Sequence, residues 1–215
     1  MKQRFGVFAT LVFAGAFVSA ETVQGQSEVH SANGLTLSVQ IYNWAKVSRA
    51  TLQKGQAVAG EIFKEAGVEL RWIECPCEAR PEEMTLSLRI IPKLFGSTTS
   101  KFRSDHLGFA AVNEEGGELA TVFYDRIESL GKGGDLSNLL GLAAAHELGH
   151  LLLGSKAHTD EGIMRPYWTR KDLHRDRQNL FLFTSEQAER IRTKGLNQPG
   201  QIGDGFSPPQ QHSRE

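Results

Sequence analysis

The sequence contains little cysteine, and that scarcity limits the classes of fold. Only Cys75 and Cys77 occur among 215 residues, so a small scaffold held together by several disulfides is excluded. Pro76 lies between them, and we interpret this segment as a structural turn between two predicted strands. A disulfide across one residue is strained. Free thiols, an intermolecular bridge and thiolate ligands of a metal are the open alternatives.

The sequence also lacks an excess of charge of one sign. Its 24 basic side chains balance 25 acidic ones, for a net charge of −1. No basic stripe is present that could neutralise the phosphates of a nucleic acid. Nucleic acid is therefore not an expected partner.

Long apolar runs are missing after the N-terminus, so the rest of the chain contains no segment of the roughly 20 residues that a membrane span requires. Within the N-terminus, Lys2 and Arg4 precede an apolar run at residues 5–18, and small residues follow up to Ala20. This layout is typical of a secretory signal peptide; an uncleaved anchor and a buried strand are the alternatives. We expect export to the extracellular space or periplasm, with no stable membrane association after cleavage.

The length and the 40% hydrophobic content predict one domain with a single core. We assign residues 1–20 to the signal peptide, 21–34 to a short N-terminal segment and 35–194 to the domain. Residues 195–215 have three prolines and few apolar side chains, which indicates a disordered tail. We expect the mature chain to be a monomer.

Alternating apolar residues predict strands at 35–42, 68–73 and 84–91, and helical spacing predicts a helix at 48–66 that ends at Gly67. A strand, a helix and a strand in this order indicate a crossover unit in a largely parallel sheet.

Two further strands are predicted at 108–112 and 120–127, around a turn at 113–117. Such a pair at the edge of a sheet leaves a backbone free to pair with an extended peptide, although an edge strand without a ligand is equally common. The last predicted element is an amphipathic helix at about 184–193.

The longest predicted helix spans residues 136–153, with Asp135 or Ser137 as its N-cap. Between Asp135 and Lys156 the ionisable side chains are His146, Glu147 and His150, and the remainder is mostly Leu and Ala. A helix that is apolar almost all round is buried. Burial of these three side chains costs several kcal/mol unless they are paired or bound to a metal.

His146 and His150 project from one face of that helix, because residues four apart are rotated by only about 40° and rise about 6 Å. Two imidazoles so placed can share a zinc ion, and Glu147 in the same turn can take a proton from a water molecule that the ion activates. A hydrogen-bonded pair of core histidines is the alternative.

A catalytic zinc site requires a third protein ligand. His158 follows Gly154, a residue that can turn the chain back toward the helix. Four carboxylates compete with His158 for this role: Asp160, Glu161, Glu186 and Glu189.

Together these residues resemble the metzincin clan of zinc proteases, and within it the matrixin-like branch. The segment His146-Glu147-Leu148-Gly149-His150, followed by Gly154, His158 and Met164, is similar to that clan's elongated zinc motif and methionine turn. The clan has its glycine three residues, and its third histidine six residues, after the second histidine. In this chain Gly154 and His158 come four and eight residues after it.

The resemblance implies further roles. It makes His146, His150 and His158 the metal ligands and Glu147 the catalytic base. Met164 becomes the hydrophobic base beneath the ligands, and a specificity pocket is bounded by substrate-binding residues, which are Pro166, Tyr167 and Trp168.

The implied fold is an α+β, zincin-like domain with a mixed, mostly parallel sheet, an antiparallel edge strand, an active-site helix and a C-terminal helix. The implied function is that of an exported endopeptidase with one catalytic Zn²⁺ and peptide or protein substrates. Two rivals stay open: a secreted binding protein that keeps the scaffold without turnover, and a zinc hydrolase for a non-peptide amide or a cell-wall substrate.

Overall fold

The computed structural model describes residues 35–76, 85–94, 106–132, 134–169, 172–173 and 181–196. The expected signal peptide, residues 21–34 and residues 197–215 of the expected tail lie outside these ranges. In chain order the elements are β1 (Leu35–Asn43), α1 (Arg49–Glu65), β2 (Val68–Glu74), β3 (Thr85–Ile91), β4 (Gly108–Val112), β5 (Gly117–Phe123), α2 (Tyr124–Leu130), α3 (Leu136–Leu153) and α4 (Ser185–Leu196). Among the described residues, none of the helices has the length and apolar character needed to span a membrane.

The five strands form one sheet in the order β2-β1-β3-β5-β4. The pairs β1–β2, β1–β3 and β3–β5 are parallel, whereas β4 runs antiparallel to β5. The α+β class is therefore confirmed, together with the mostly parallel sheet and its antiparallel edge strand. The β1–α1–β2 unit is the expected parallel crossover.

The core lies where α1 and α3 pack on one face of the sheet. Leu37, Val39 and Ile41 of β1 are at most 2% exposed. Ser38 and Gln40 between them are buried as well, so both faces of this inner strand are covered, as is usual in a parallel sheet. From α1, Leu52, Ile62 and Phe63 join the same cluster.

The prediction of a strand through residue 127 is wrong at its end. β5 stops at Phe123, and Tyr124–Leu130 is the helix α2. Phe123 and Ile127 are both fully buried, and residues four apart share a face in a strand as well as in a helix. The apolar spacing of this short run therefore does not distinguish the two structures.

Both ends of α3 are stabilised by side chains. At the start, Asp135 accepts hydrogen bonds from the backbone N–H groups of Ser137 (3.1 Å) and Asn138 (3.3 Å). At the other end, the carbonyl of Leu153 accepts from Arg190 of α4 (2.9 Å). A cation near the last carbonyls of a helix is favourable because it opposes the helix dipole.

α4 continues to Leu196, so residues 195 and 196 are helical and do not belong to the expected tail. A β-carbon added to Gly195 would lie 2.1 Å from Cδ2 of Leu35. The last turn of the helix therefore packs closely against β1.

Candidate metal centre

Three polar side chains of α3 lie at the floor of a cleft. Glu147 is 6% exposed and His150 is 8% exposed, and both line the cleft together with His146. His146 and His150 share one face because they lie four residues apart in a regular helix, Leu136–Leu153, and Glu147 lines the same cleft from the adjacent position.

Two backbone carbonyls orient the imidazoles of α3. The carbonyl of Ile163 accepts a hydrogen bond from Nδ1 of His146 (2.8 Å), and that of Gly154 accepts from Nδ1 of His150 (3.3 Å). A carbonyl can only accept, so Nδ1 carries the proton in each ring, and Nε2 has its lone pair available for a cation.

The loop after α3 brings His158 to the same place. Gly154 ends the helix with a φ of 84°, a conformation that favours glycine. Space also requires glycine there, because a β-carbon would lie 2.2 Å from the carbonyl oxygen of Glu114. Beyond this turn, Nε2 of His158 lies 3.1 Å from Nε2 of His150.

The ligand atoms of His146, His150 and His158 all lie within 4.8 Å of one another. Among the residues that the structure describes, they form the one group of three or more such side chains that could hold a metal ion. The four competing carboxylates are not part of this group: Asp160, Glu161, Glu186 and Glu189.

The three imidazoles fit a zinc ion. Tetrahedral Zn–N bonds of about 2.0–2.1 Å separate two ligand nitrogens by about 3.4 Å, close to the observed 3.1 Å. Burial lowers the pKa of His146 to about 3 and that of His150 to about 4, and burial also lowers the pKa of His158. All three rings are therefore neutral near pH 7, which is the form that binds metal.

Glu147 lies beside the histidines, beneath β4. A β-carbon added to Gly108 would be 2.9 Å from Oε1 of Glu147, so the carboxyl group lies directly against the edge strand. Burial raises its pKa to about 8. A nearby cation would favour the carboxylate form and reverse this shift.

Met164 supports the helix from below, where the sequence places the methionine turn. It is fully buried, and a β-carbon added to Gly149 would lie 2.7 Å from its Sδ and 2.9 Å from Cε1 of Phe183. Gly149 immediately precedes His150, so these two side chains pack under the segment that carries the histidines.

The cleft has a volume of about 410 Å³. Its lining includes β4, α3 and the predicted wall residues Pro166, Tyr167 and Trp168. Tyr167 is 49% exposed, whereas Trp168 packs edge-on against His146 and Phe181, with ring centroids 5.4 Å apart in both pairs. Within the wall, Tyr167 thus faces solvent and Trp168 covers a candidate ligand.

Two further residues, His106 and Arg165, line the cleft without a sequence pattern that predicts it. His106 lines it and, after burial, is the second cause of the lowered pKa of His158. Arg165 also lines it and donates to Asp172 (3.2 Å) and to the carbonyl of Tyr167 (3.3 Å). No local pattern marks either residue, because both reach the site through loops.

The cysteine pair lies apart from this centre. Cys75 is disulfide-bonded and is not among the residues that line the cleft. Cys77, the other cysteine of the sequence, lies outside the described residues. The bond at Cys75 excludes a free thiol and a thiolate metal ligand at this residue, two of the alternatives left open by the sequence. It agrees with a structural role for the turn.

The sequence matches no protein-family model and no curated protein. The structure is similar to a zinc-dependent peptidase from Methanocorpusculum labreanum, with a TM-score of 0.50, 17% identity and coverage of 71% of this chain and 99% of the other. Metalloproteinase-II from Bacteroides fragilis has a TM-score of 0.47 at 9% identity, with 75% of this chain and 54% of that chain covered. Archaemetzincin from Methanopyrus kandleri has a TM-score of 0.48 at 12% identity, with 75% and 97% covered.

At this level of identity the first similarity establishes a shared fold. The chain therefore has the zincin-like fold that the sequence predicts. Membership of the matrixin-like branch stays a prediction.

Proposed function

We propose that this protein is a zinc-dependent peptidase whose ion is held by His146, His150 and His158. The observation that carries the proposal is the convergence of three neutral imidazoles, with ligand atoms within 4.8 Å of one another, beside the buried carboxyl group of Glu147. The M. labreanum protein of the same fold is described as a zinc-dependent peptidase, which is consistent with this reading.

When bound, zinc would supply a Lewis acid that polarises the scissile carbonyl and makes a water molecule acidic. Glu147 acts as the general base: its carboxylate takes a proton from the attacking water and passes it to the nitrogen of the leaving amine as the C–N bond breaks. No covalent bond forms between enzyme and substrate.

The substrate is a peptide bound in extended form, antiparallel to β4. In the described sheet β4 is an edge strand that pairs with β5 on one side, and four of its five residues line the cleft: Gly108, Phe109, Ala110 and Val112. The backbone of an edge strand can hydrogen-bond to an added peptide strand. Because this lining is mainly apolar, we expect the substrate to have apolar side chains next to the cleaved bond.

Two finer parts of the proposal concern the kind of cleavage and the place of action. We propose cleavage within a chain and not at its ends, and export after removal of residues 1–20. Peptides blocked at both ends test the first part, since an exopeptidase needs a free terminus. The N-terminal sequence of the secreted protein tests the second.

The decisive experiment combines metal analysis with one substitution. The purified mature protein should contain about one zinc per chain and cleave casein. Glu147→Gln should abolish cleavage and leave the zinc bound, because Glu147 is base and not ligand. Glu61→Gln on the exposed side of α1 is the matched control and should retain full activity.

Three results would contradict the proposal. They are a parent chain without zinc after growth in zinc-replete medium, loss of zinc in Glu147→Gln, and cleavage of peptidoglycan without cleavage of casein or of any blocked peptide. The last result would show that the same site acts on a cell-wall substrate.

A further inference from the structure

A buried amide at the start of α4 links that helix to the loop of the third histidine. Gln187 is 3% exposed. Its Oε1 accepts a hydrogen bond from the backbone N–H of Thr184 (3.1 Å), and Oγ1 of Thr184 accepts one from the backbone N–H of Gln187 (3.3 Å). This reciprocal pair is a capping box, and it uses only the oxygen end of the Gln187 amide.

The nitrogen end of the same amide reaches the loop. Nε2 of Gln187 donates to the carbonyl of Ala157 (3.0 Å) and to Oγ1 of Thr159 (3.2 Å). These two residues immediately precede and follow His158. One side chain of α4 thus binds the backbone on one side of His158 and the hydroxyl group on the other.

The loop has a particular need for such contacts. His146 and His150 project from a regular helix, and backbone carbonyls orient both rings. His158 instead lies in an irregular segment that is longer than the metzincin spacing, since it comes eight residues after His150. The direction of its imidazole therefore depends on how the loop is held.

The helix that carries Gln187 is itself fixed to α3. Arg190 of α4 donates to the carbonyl of Leu153 (2.9 Å), and Nζ of Lys194 donates to that of Leu151 (3.3 Å). Both carbonyls belong to the last turn of α3, just after His150. Gln187 therefore holds the third histidine relative to the same helix that carries the other two.

We infer that Gln187 is a positioning residue for His158, an inference that rests on the three-histidine zinc site of the proposed function. Its amide holds Ala157 and Thr159 so that Nε2 of His158 meets Nε2 of His150. A carboxylate of the same shape cannot replace it, because an oxygen would then face the carbonyl of Ala157 and a donor would be lost.

The test measures zinc affinity of the mature chain by competition with a chelator, together with the visible spectrum of the cobalt-loaded protein. Gln187→Met and Gln187→Glu should raise the zinc Kd roughly 10- to 100-fold, the usual effect of losing a group that orients a metal ligand. Both should also change the cobalt spectrum. Gln187→Glu retains an acceptor for Thr184, and it serves if Gln187→Met does not fold.

Thr184→Val is the matched control. It removes the hydroxyl group that accepts from Gln187, so it weakens the α4 cap while both Nε2 bonds to the loop remain. Its zinc Kd and cobalt spectrum should stay close to those of the parent. A general loss of stability in α4 would instead affect the Thr184 and Gln187 variants alike.

A double-mutant cycle with His158→Ala decides whether Gln187 acts through His158. In the His158→Ala background, Gln187→Met should have little further effect on zinc affinity, because the ligand that it positions is gone. The inference is overturned by Gln187 variants with parental zinc affinity, or by an equal loss in both backgrounds. A parent chain without zinc overturns the proposed function as well, whereas failure of the Gln187 variants alone leaves that function standing.

Discussion

The helices α1 and α3 pack against each other and have nearly equal lengths, 17 and 18 residues. Five residues of α1 are buried and fifteen of α3. On α1, charged side chains such as Lys54 and Glu61 lie in solvent. On α3, two imidazoles and a carboxyl group lie among leucine and alanine.

The difference shows what burial demands of polar groups. A charge on α1 remains hydrated and needs no partner. Burial lowers the pKa of His146 and His150 and raises that of Glu147, so each group on α3 is displaced toward its neutral form. The buried residues of α1 carry no charge that needs compensation. The buried polar groups of α3 do, and the proposed zinc ion would supply it.

Removing a ligand should have the largest effect in this comparison. His158→Ala leaves two protein ligands in place of three, so the zinc Kd should rise by at least about 100-fold. Thermal unfolding of the variant should then lose its sensitivity to chelator, because zinc stabilises only the state that binds it.

Two kinds of control sharpen this result. His106→Ala, in the same cleft but outside the group, should retain zinc, as should Asp160→Asn, Glu161→Gln and Glu186→Gln. If His158→Ala kept the parental zinc affinity and one carboxylate variant lost it, that carboxylate would be the third ligand. The proposal of a zinc hydrolase would stand.

Replacement of glycine by alanine should change the free energy of unfolding in opposite directions on the two helices. A β-carbon at Gly149 of α3 would lie 2.7 Å from Sδ of Met164, so Gly149→Ala should destabilise the protein by about 1–3 kcal/mol, the usual cost of overpacking. At Gly60 of α1 a β-carbon has no neighbour within 4 Å, so Gly60→Ala should stabilise it by about 0.5–1 kcal/mol through helix propensity.

Urea unfolding of both variants in the presence of zinc measures the two free energies. If both variants were more stable than the parent, Met164 and Phe183 would have moved aside freely, and the packing beneath the histidines would be loose.

The sequence predicts the parts of the fold that depend on local signals. The bounds of α3 follow from Asp135, which caps its start, and from Gly154, which ends it. Alternation predicts β1 because its apolar residues Leu37, Val39 and Ile41 all belong to the hydrophobic core. It fails at residues 124–127, where Ile127 reaches the core from a helix, since a short apolar run fits both periods.

The site shows the same limit. His146 and His150 are paired by helical spacing alone, so sequence brings them together. The choice between His158 and the carboxylates depends on the path of a loop, which no local pattern determines. Gln187 had a local signal, the Thr184-x-x-Gln187 capping box, but its contacts with the loop are long-range.

The last prediction concerns the pH dependence of the zinc-free protein, in which the polar groups of α3 are uncompensated. The folded pKa of Glu147 is about 8, against 4.5 for the free group, so between these values the folded state holds a proton that the unfolded state has lost. Stability therefore falls as pH rises through this window. The folded pKa values of His146 and His150, about 3 and about 4, lie below the free value of 6.5, so these two groups make stability rise with pH up to about 6.5.

Below pH 6.5 the two histidines raise the free energy of unfolding with pH by more than the one carboxyl group lowers it. Above pH 6.5, among these three groups, only Glu147 changes the free energy of unfolding with pH. Urea unfolding in chelator should thus show greatest stability near pH 6.5 and a decline toward pH 8, at most about 1.4 kcal/mol per pH unit for one proton. Glu147→Gln should remove the decline and keep the rise below pH 6.5, while Glu61→Gln on α1 should follow the parent curve. Saturating zinc should also reduce the decline, because the cation favours the Glu147 carboxylate. An unchanged decline in Glu147→Gln would assign it to another group and would remove the contrast between the two helices on which the prediction rests.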